Sequence, residues 1–207
     1  MNVLITGGAG YIGSTLCRFL LEKKHKVTVI DNFNFSYNSL LQYMENKDFS
    51  VSKLDVRNYS EINRILKKFD IIIPLAALVG APLCKLKEKE AIDVNLDSLK
   101  NIVDNVSKNQ TIIYPTTNSG YGIGEKDKYC TEETPLNPIS LYGKTKTGAE
   151  TYVSENHENS VRFRLATVFG CSPRMRLDLL VNDFVLKAVK DGYVVLFEAN
   201  FKRNYVH

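Results

Sequence analysis

Short runs of consecutive apolar residues alternate along this chain with longer segments in which apolar residues recur every three or four positions. The short runs are rich in Val and Ile, which favours buried strands. They lie at residues 2–6, 26–31, 49–55, 70–77, 111–117 and 160–167. The longer segments predict helices at Ile12–Lys23, Tyr59–Lys68, Glu88–Val106, Leu141–Asn156 and Leu177–Lys190. This alternation predicts an α/β fold with a doubly wound parallel sheet that is covered on both faces.

Two details bear on that prediction. In the third predicted helix the apolar residues recur at helical spacing, at Ile92, Leu96, Leu99, Ile102, Val103 and Val106. In the fourth predicted strand, Pro74 has no N–H to donate to a neighbouring strand. A proline is compatible with a strand only at an edge or a bulge, so Pro74 is an irregularity that the fold must accommodate.

Composition narrows the class of protein without changing this picture. A chain of 207 residues with 44% apolar residues is long enough for one α/β domain. It has no apolar stretch of about 20 residues and no basic N-terminal region, so we expect neither a membrane span nor a signal peptide. The net charge of +4 is spread along the chain, which gives no support for a nucleic-acid partner. Four widely spaced cysteines predict free thiols, a cytoplasmic location and no metal site: Cys17, Cys84, Cys130 and Cys171.

The first strand runs directly into the glycine-rich stretch TGGAGYIGS. Gly7, Gly10 and Gly13 lie three residues apart between a strand and a helix, with Tyr11 and Ile12 between the last two. Glycines in such a turn let backbone N–H groups approach a diphosphate at the positive end of the helix. The turn by itself is also compatible with a tight strand-to-helix connection that binds nothing.

The end of the second strand favours a dinucleotide. Asp31, followed by Asn32, is about twenty residues downstream of the glycines, where a carboxylate can accept hydrogen bonds from an adenosine ribose. A carboxylate there repels a 2′-phosphate, and residues 32–38 contain no Arg or Lys, so NAD is predicted rather than NADP. Asp55 and Val56 end the third strand and could hold an adenine edge, although such a pair also suits a helix N-cap.

Tyr142 and Lys146 lie four residues apart at the start of a predicted helix, so both face the same side. A phenol with a pKa of about 10 is a weak base at neutral pH. An adjacent ammonium and an oxidised nicotinamide could lower that pKa by about three units, which requires roughly 4 kcal/mol. The spacing is common on helix surfaces, and it gains meaning here because it follows the fifth strand of a dinucleotide-binding pattern.

Taken together these motifs resemble the extended short-chain dehydrogenases/reductases of the NAD-dependent nucleotide-sugar epimerase/dehydratase family, which have a Rossmann fold. The matching elements follow the family order along the whole chain: TGGAGYIG, Asp31, LDV at 54–56, LAA at 75–77, Asn95, TTNSGYG, Tyr142-x-x-x-Lys146, RLATVFG and the terminal RNYVH.

The resemblance implies roles for further residues. Leu75, Ala76 and Ala77 would line the adenosine and diphosphate side of NAD, and Asn95 would support the loop after the fourth strand. Lys146 would hold the nicotinamide ribose. Thr117 would hydrogen-bond the sugar hydroxyl that Tyr142 deprotonates at C4. These implied roles complete a catalytic set of Thr117, Tyr142 and Lys146.

The resemblance also implies a site for a nucleotide-diphosphate sugar. The candidate substrate-binding residues are Asn118, Ser119, Arg174, Arg176, Asn182 and Arg203. The segments 74–84, 117–125 and 172–184 are similar to those of enzymes that oxidise C4 of GDP-linked heptoses for surface polysaccharides, which favours a GDP-sugar. Residues 1–170 are predicted to form the NAD-binding domain and 171–207 the beginning of an incomplete substrate-binding part. Family members continue further and form homodimers.

Two alternatives remain. A nucleotide-sugar 4,6-dehydratase needs an acid–base pair after its catalytic threonine, and Asn118 and Ser119 occupy those positions, so dehydration is disfavoured. A non-catalytic NAD-binding regulator, or an inactive fragment of this fold, would not require Thr117, Tyr142 and Lys146. Their presence together favours an NAD-dependent oxidoreductase.

Overall fold

A single parallel sheet organises the chain in a computed structural model, which describes residues 1–35, 38–124 and 129–207. Its strand order is β3-β2-β1-β4-β5-β6, with all neighbours parallel. The strands are β1 (Asn2–Thr6), β2 (Lys26–Asp31), β3 (Phe49–Lys53), β4 (Ile71–Pro74), β5 (Thr111–Thr117) and β6 (Ser160–Leu165). The order confirms the doubly wound sheet. It reverses between β1 and β4, and the carboxyl ends of these strands therefore border the crevice where ligands bind in such folds.

Helices cover the sheet unequally on its two faces. They are α1 (Tyr11–Glu22), α2 (Tyr59–Leu66), α3 (Ala81–Leu86), α4 (Glu88–Ile92), α5 (Ser98–Asn105), α6 (Leu141–Asn156) and α7 (Leu180–Asp191). Successive strand residues point to opposite faces. Val3 of β1 therefore packs against α1, while Leu4 packs in the cluster that holds α2 and α5. The helix α6 covers β5 on the same face as α5.

The third predicted helix differs from a continuous segment over Glu88–Val106. A π-helical turn at Asp93–Asp97 separates α4 from α5, and the preceding helix α3 was not predicted. A π turn adds a residue to the helical repeat and shifts the faces on either side of it. Ile92 of the predicted apolar stripe is consequently exposed, whereas Asn95 is buried.

The pairing of β4 with β5 ends early, at Ile72 and Ile112, although β5 remains paired with β6 as far as Thr117. Alternate residues of a strand direct their N–H groups to opposite neighbours. Leu75 donates to β1 and Thr111 donates towards β4, so Pro74 faces β5 and Pro115 faces β4. Neither proline has an N–H to donate. Pro74 is thus accommodated as the last residue of a central strand. Beyond Ile72 and Ile112 the strands β4 and β5 are not paired, and we call this unpaired region the seam. Both prolines help to open it.

The chain after β6 adds little to the main sheet. Thr167–Val168 (β7) and Tyr205–Val206 (β8) pair as a separate two-stranded sheet, and Asn182 is the buried residue of α7. The sixth predicted strand is accordingly shorter than 160–167, since it ends at Leu165. Among the described residues, no helix has both the length and the apolar character needed to cross a membrane.

Candidate functional site

The glycine turn after β1 is packed too tightly to accept any side chain at two of its positions. Gly7 has a φ of +70°, and an added Cβ would lie 2.5 Å from the Ala76 nitrogen. A Cβ at Gly13 would lie 2.6 Å from the Cα of Gly8. Gly10 caps α1, and its N–H donates to the Gly7 carbonyl at 3.1 Å. The turn therefore brings the N-terminus of α1 to the crevice, lined by Gly7, Gly10, Tyr11, Ile12 and Gly13.

Asp31 ends β2 beside this turn and lines the same crevice. One carboxylate oxygen accepts the Ala9 N–H at 2.9 Å, and the other accepts the Phe33 N–H at 2.8 Å. Burial raises the pKa of Asp31, while the two backbone hydrogen bonds act in the opposite direction. Each oxygen retains a second lone pair, so the carboxylate is fixed in place and still able to accept ribose hydroxyls.

Asp55 is engaged more fully than the sequence indicates. Arg57 donates to both of its oxygens, at 2.8 and 2.7 Å, and the Asn32 amide donates at 3.1 Å. The Arg57 guanidinium holds the pKa of Asp55 well below its usual range. Leu54 and Val56 line the crevice instead. The structure thus favours Val56 over the Asp55 carboxylate as the wall beside an adenine.

The segment after β4 forms the next wall of the crevice. Leu75 and Ala76 donate their N–H groups to Thr6, at 2.9 and 3.3 Å, and both line the crevice with Ala77. Asn95 reaches this segment from the π-helical turn. Its amide accepts the N–H of Leu78 at 2.8 Å and donates to the carbonyl of the same residue at 2.9 Å. Asn95 therefore holds the loop rather than lining the crevice.

Thr117 and Tyr142 meet at the carboxyl end of β5. Thr117 is buried, caps the 3-10 turn Asn118–Tyr121 and accepts the N–H of Ser119 at 3.2 Å. Burial raises the pKa of Tyr142, and a hydrogen bond with the Thr117 side chain opposes that change. The net effect is a raised pKa, so the lowering of the Tyr142 pKa that the sequence predicts does not outweigh burial in this structure.

Lys146 lies on the same face of α6, one turn after Tyr142, and is buried. Its ammonium donates to the Pro115 carbonyl at 2.9 Å and lies 4.1 Å from the ring centroid of Tyr114. Burial lowers the pKa of Lys146 to about 7, and the charge of Glu150 partly opposes this. The carbonyl that receives Lys146 faces the seam, because Pro115 cannot pair with β4 there.

A segment after β7, residues 170–178, lines part of the crevice and is tied to the glycine turn; we refer to it as the strap. The Tyr11 hydroxyl donates to the Gly170 carbonyl at 2.6 Å, and Ser172 donates to the Tyr11 carbonyl at 2.7 Å. The Asn182 amide accepts the Gly170 N–H and donates to the Tyr11 hydroxyl and the Arg176 carbonyl. Asn182, predicted to bind substrate, is thus occupied in holding the strap.

The remaining predicted substrate residues lie in three places. Arg174 and Arg176 of the strap line the crevice. The Arg174 guanidinium lies 5.1 Å from the ring centroid of Phe35, at the adenosine end, and Arg176 pairs with Asp178. Asn118 and Arg203 lie on the exposed side, where Asn118 donates to Asn204 at 2.7 Å and Arg203 donates to Thr167 at 2.9 Å. Ser119 begins the 3-10 turn next to Thr117.

The crevice as a whole fits a dinucleotide. It has a volume of about 890 Å³ and runs from Asp31 past the glycine turn to Tyr142 and Lys146. Thr116 lines it, and its buried hydroxyl has no partner in the described part of the chain, which leaves a polar group for a ligand to satisfy. Sequence patterns did not identify Arg57, Ser172 or the Pro115 carbonyl, since their roles depend on contacts between distant segments.

A family model and the similar known proteins agree on one protein family for this chain. A family model described as NAD dependent epimerase/dehydratase family matches residues 3–207. Protein CapI of Staphylococcus aureus is 27% identical over all of this chain and 66% of its own length. The chain therefore spans about two thirds of the length of this curated relative. The family's dependence on NAD agrees with the cofactor predicted from Asp31.

Two solved structures illustrate the range of similar folds. UDP-glucuronic acid 4-epimerase from Bacillus cereus, in complex with UDP-glucuronic acid and NAD, is 27% identical with a TM-score of 0.78. That match covers 92% of this chain and 64% of the other. dTDP-glucose 4,6-dehydratase from Bacillus anthracis, in complex with NAD, has a TM-score of 0.84 at 23% identity, over 100% of this chain and 67% of the other. The second similarity concerns the fold alone.

Proposed function

Because this chain belongs to the NAD dependent epimerase/dehydratase family, we propose that it is the dinucleotide-binding part of a nucleotide-sugar oxidoreductase acting at C4 of the sugar. The observation that carries the proposal is one crevice lined by the glycine turn, Asp31, Tyr142 and Lys146, with the Thr117 side chain hydrogen-bonded to Tyr142. When bound, NAD supplies the acceptor for the hydride that leaves C4. The glycine turn and Asp31 would hold its diphosphate and adenosine ribose.

Thr117, Tyr142 and Lys146 would each have a different role in the reaction. Thr117 would hold the C4 hydroxyl of the sugar by a hydrogen bond, and Tyr142 as phenolate would remove the hydroxyl proton. Loss of that proton and of the hydride from C4 converts the alcohol to a ketone. Lys146 would hold the nicotinamide ribose hydroxyls from its position above the Pro115 carbonyl.

The raised pKa of Tyr142 sets a condition on this chemistry. Burial acts against the phenolate, and the Thr117 hydrogen bond only partly offsets burial. Formation of a base at neutral pH would then depend on positive charge that arrives with the oxidised nicotinamide ring. Proton removal is thereby limited to the complex in which a hydride acceptor is present.

The residues after Thr117 favour 4-epimerisation or C4 dehydrogenation over dehydration. Elimination of water needs an acid and a base at the sugar, and Asn118 and Ser119 supply neither. The similarity to a 4,6-dehydratase concerns the fold and does not supply these groups.

The nucleotide and the sugar belong to the proposal as well. The sequence favours a GDP-linked heptose, whereas the 4-epimerase relative described above was solved with a UDP-sugar. The expected homodimer, the cytoplasmic location and a role in surface-polysaccharide sugar synthesis remain predictions. So does the division of the chain into a domain at 1–170 and a substrate-binding part at 171–207.

The test is a reduction assay on the purified chain after any bound dinucleotide has been replaced by NAD. UDP-, GDP-, dTDP- and CDP-sugars are added in turn while the absorbance of reduced nicotinamide is followed. We expect reduction with one nucleotide class, its loss in Tyr142→Phe and its retention in Tyr152→Phe. Tyr152 is the matched control because it is on the same helix and its hydroxyl binds Asp104, away from the crevice.

Each contrary result has its own meaning. NAD binding without reduction by any of the sugars contradicts catalysis by this chain and supports the non-catalytic regulator or the inactive fragment. Product NMR then separates the enzyme classes: an inverted or oxidised C4 is expected, and loss of the C6 oxygen identifies a dehydratase.

A further inference from the structure

An ion pair between a buried carboxylate and a partly exposed guanidinium lies one helical turn beyond Lys146. Glu150 is on α6, four residues after Lys146, and has an exposed fraction of only 6%. The Arg164 guanidinium of β6 donates to its carboxylate at 2.7 Å. Removing the Glu150 charge from water is costly, and such a pair is by itself weak evidence for stability. The pair lies beside the proposed catalytic lysine, so its other contacts bear on the geometry of the site.

Arg164 also holds the turn that follows Thr117. Its guanidinium donates to the Tyr121 hydroxyl at 3.2 Å and to the Glu132 carbonyl at 3.0 Å. It lies 5.3 Å from the ring centroid of Tyr121, the last residue of the 3-10 turn capped by Thr117. The Arg164 side chain therefore connects α6 to the turn that Thr117 caps.

Glu150 is the anion that acts on Lys146. Tyr142, Lys146 and Glu150 are spaced by four on one face of α6. In the described part of the chain no carboxylate lies within ion-pair distance of the Lys146 ammonium, which instead meets the Pro115 carbonyl and the Tyr114 ring. The charge of Glu150 raises the pKa of Lys146 against the effect of burial.

Other titratable or charged groups surround this pair. Tyr114 of β5 faces both Tyr142 and Glu150, and Cys84 of α3 and Arg176 of the strap act on Tyr142. The Cys84 thiol and the Tyr114 phenol are buried and have raised pKa values, so both are neutral near pH 7. Glu150 is therefore the charged group that acts on the pKa of Lys146.

We propose that Glu150 and Arg164 are positioning residues for the C4 chemistry: Glu150 favours the charged form of Lys146, and Arg164 holds the Glu150 carboxylate turned away from it. This rests on the role given to Lys146 in the proposed function. Without Arg164, the carboxylate would be free to draw the ammonium out of the site towards itself. The same guanidinium contacts Tyr121 in the turn that Thr117 caps. Arg164 therefore acts on Lys146 through Glu150 and on Thr117 through this turn.

The test is an NMR titration of the lysine side chains in the chain without dinucleotide, with the Lys146 signal assigned from its absence in Lys146→Met. Glu150→Gln removes the nearby negative charge, so the pKa of Lys146 should fall by about half a unit or more. Arg164→Met leaves that charge uncompensated, so the pKa should rise by a similar amount. The double variant should return towards the parent value. Asp104→Asn, which removes an exposed carboxylate beside α6, should cause no shift.

Opposite shifts distinguish this proposal from a purely structural pair, since loss of packing alone has no reason to change sign between the two variants. Equal shifts in the same direction, or none in either folded variant, would overturn it. If Arg164→Met does not fold, Arg164→Lys provides the second measurement: it keeps the charge but loses the Tyr121 contact, and the Lys146 pKa should stay near the parent value. The titration needs no turnover, so its result stands apart from the outcome of the reduction assay.

Discussion

Gly7 is the single residue on which the geometry of the cofactor turn depends most. Gly7→Ala would place a Cβ on the Ala76 backbone and hold an L-residue at a φ of +70°. We expect a loss of at least about 2 kcal/mol in the free energy of unfolding, together with loss of NAD binding. Urea unfolding and calorimetric NAD titration measure the two effects.

Gly148→Ala is the matched control for that change. Gly148 is inside α6, and an added Cβ would meet only Leu96, at an ordinary 3.6 Å. This variant should gain about 0.5–1 kcal/mol and bind NAD normally. Equal effects of the two substitutions would show that the turn is not sterically constrained.

Lys146 makes the stability of the chain depend on pH in a definite direction. Its pKa is about 7 in the folded chain against 10.5 for an ordinary lysine, because it is buried. Between these values the unfolded chain binds a proton that the folded chain does not, so stability rises with pH. Lys146→Met should be more stable than the parent at pH 7, and the difference should shrink by about 1 kcal/mol per pH unit up to about pH 10. Urea unfolding of both chains across this range measures it; a constant difference would contradict the lowered pKa.

At the scale of elements, the two prolines of the seam were visible in the sequence, but their joint effect was not. Pro74 and Pro115 are distant in the sequence, and only the register of the sheet makes them face each other's strand. We expect Pro74→Val with Pro115→Ala to restore two donors and extend the pairing of β4 with β5. Amide hydrogen exchange should then show protection at both positions, and NAD affinity should fall as the crevice floor narrows. Fast exchange with unchanged affinity would mean that the seam has another cause.

The predicted helices show where periodicity is sufficient and where it is not. The segment Leu141–Asn156 was predicted with its observed bounds, and Ser140 caps it. The segment Glu88–Val106 was predicted as one helix, but the π turn is stabilised by contacts of Asn95 with Leu78 and Thr145. Those contacts join distant parts of the chain, and a local pattern contains no sign of them.

At the scale of the whole molecule, the strap joins the last part of the chain to the first. The Tyr11 hydroxyl accepts from Asn182 and donates to Gly170, residues 171 and 159 positions away. Tyr11→Phe removes both hydrogen bonds, each worth about 1 kcal/mol. NAD dissociation should become roughly tenfold faster, because the strap would open more often, as measured by stopped-flow fluorescence.

Tyr43→Phe controls for the loss of a tyrosine hydroxyl that binds α1 away from the strap. Tyr43 donates to the Ser14 carbonyl of that helix at 2.8 Å. The substitution should lower stability without changing NAD dissociation. If both variants release NAD at the parent rate, the strap does not retain the dinucleotide.

The topology and the cofactor class followed from the sequence because each depends on a repeated or strongly spaced pattern. The alternation of strands and helices led to the observed sheet, and the glycines with Asp31 led to NAD. The substrate residues were harder to place. Asn182 is engaged by the strap and Arg203 binds Thr167, contacts set by how the chain after β6 folds back.

The seam between β4 and β5 also has a mechanical meaning. Two paired positions join these strands, whereas four or more join each other neighbouring pair in the sheet. The sheet therefore consists of two rigid parts, β3-β2-β1-β4 and β5-β6, joined by a short ladder at the amino ends of β4 and β5. Rotation about this ladder would separate the part that contains Asp31 from the part that contains Thr117 and would leave the pairing of all other strands intact. Force applied across the sheet should divide the molecule along this line first.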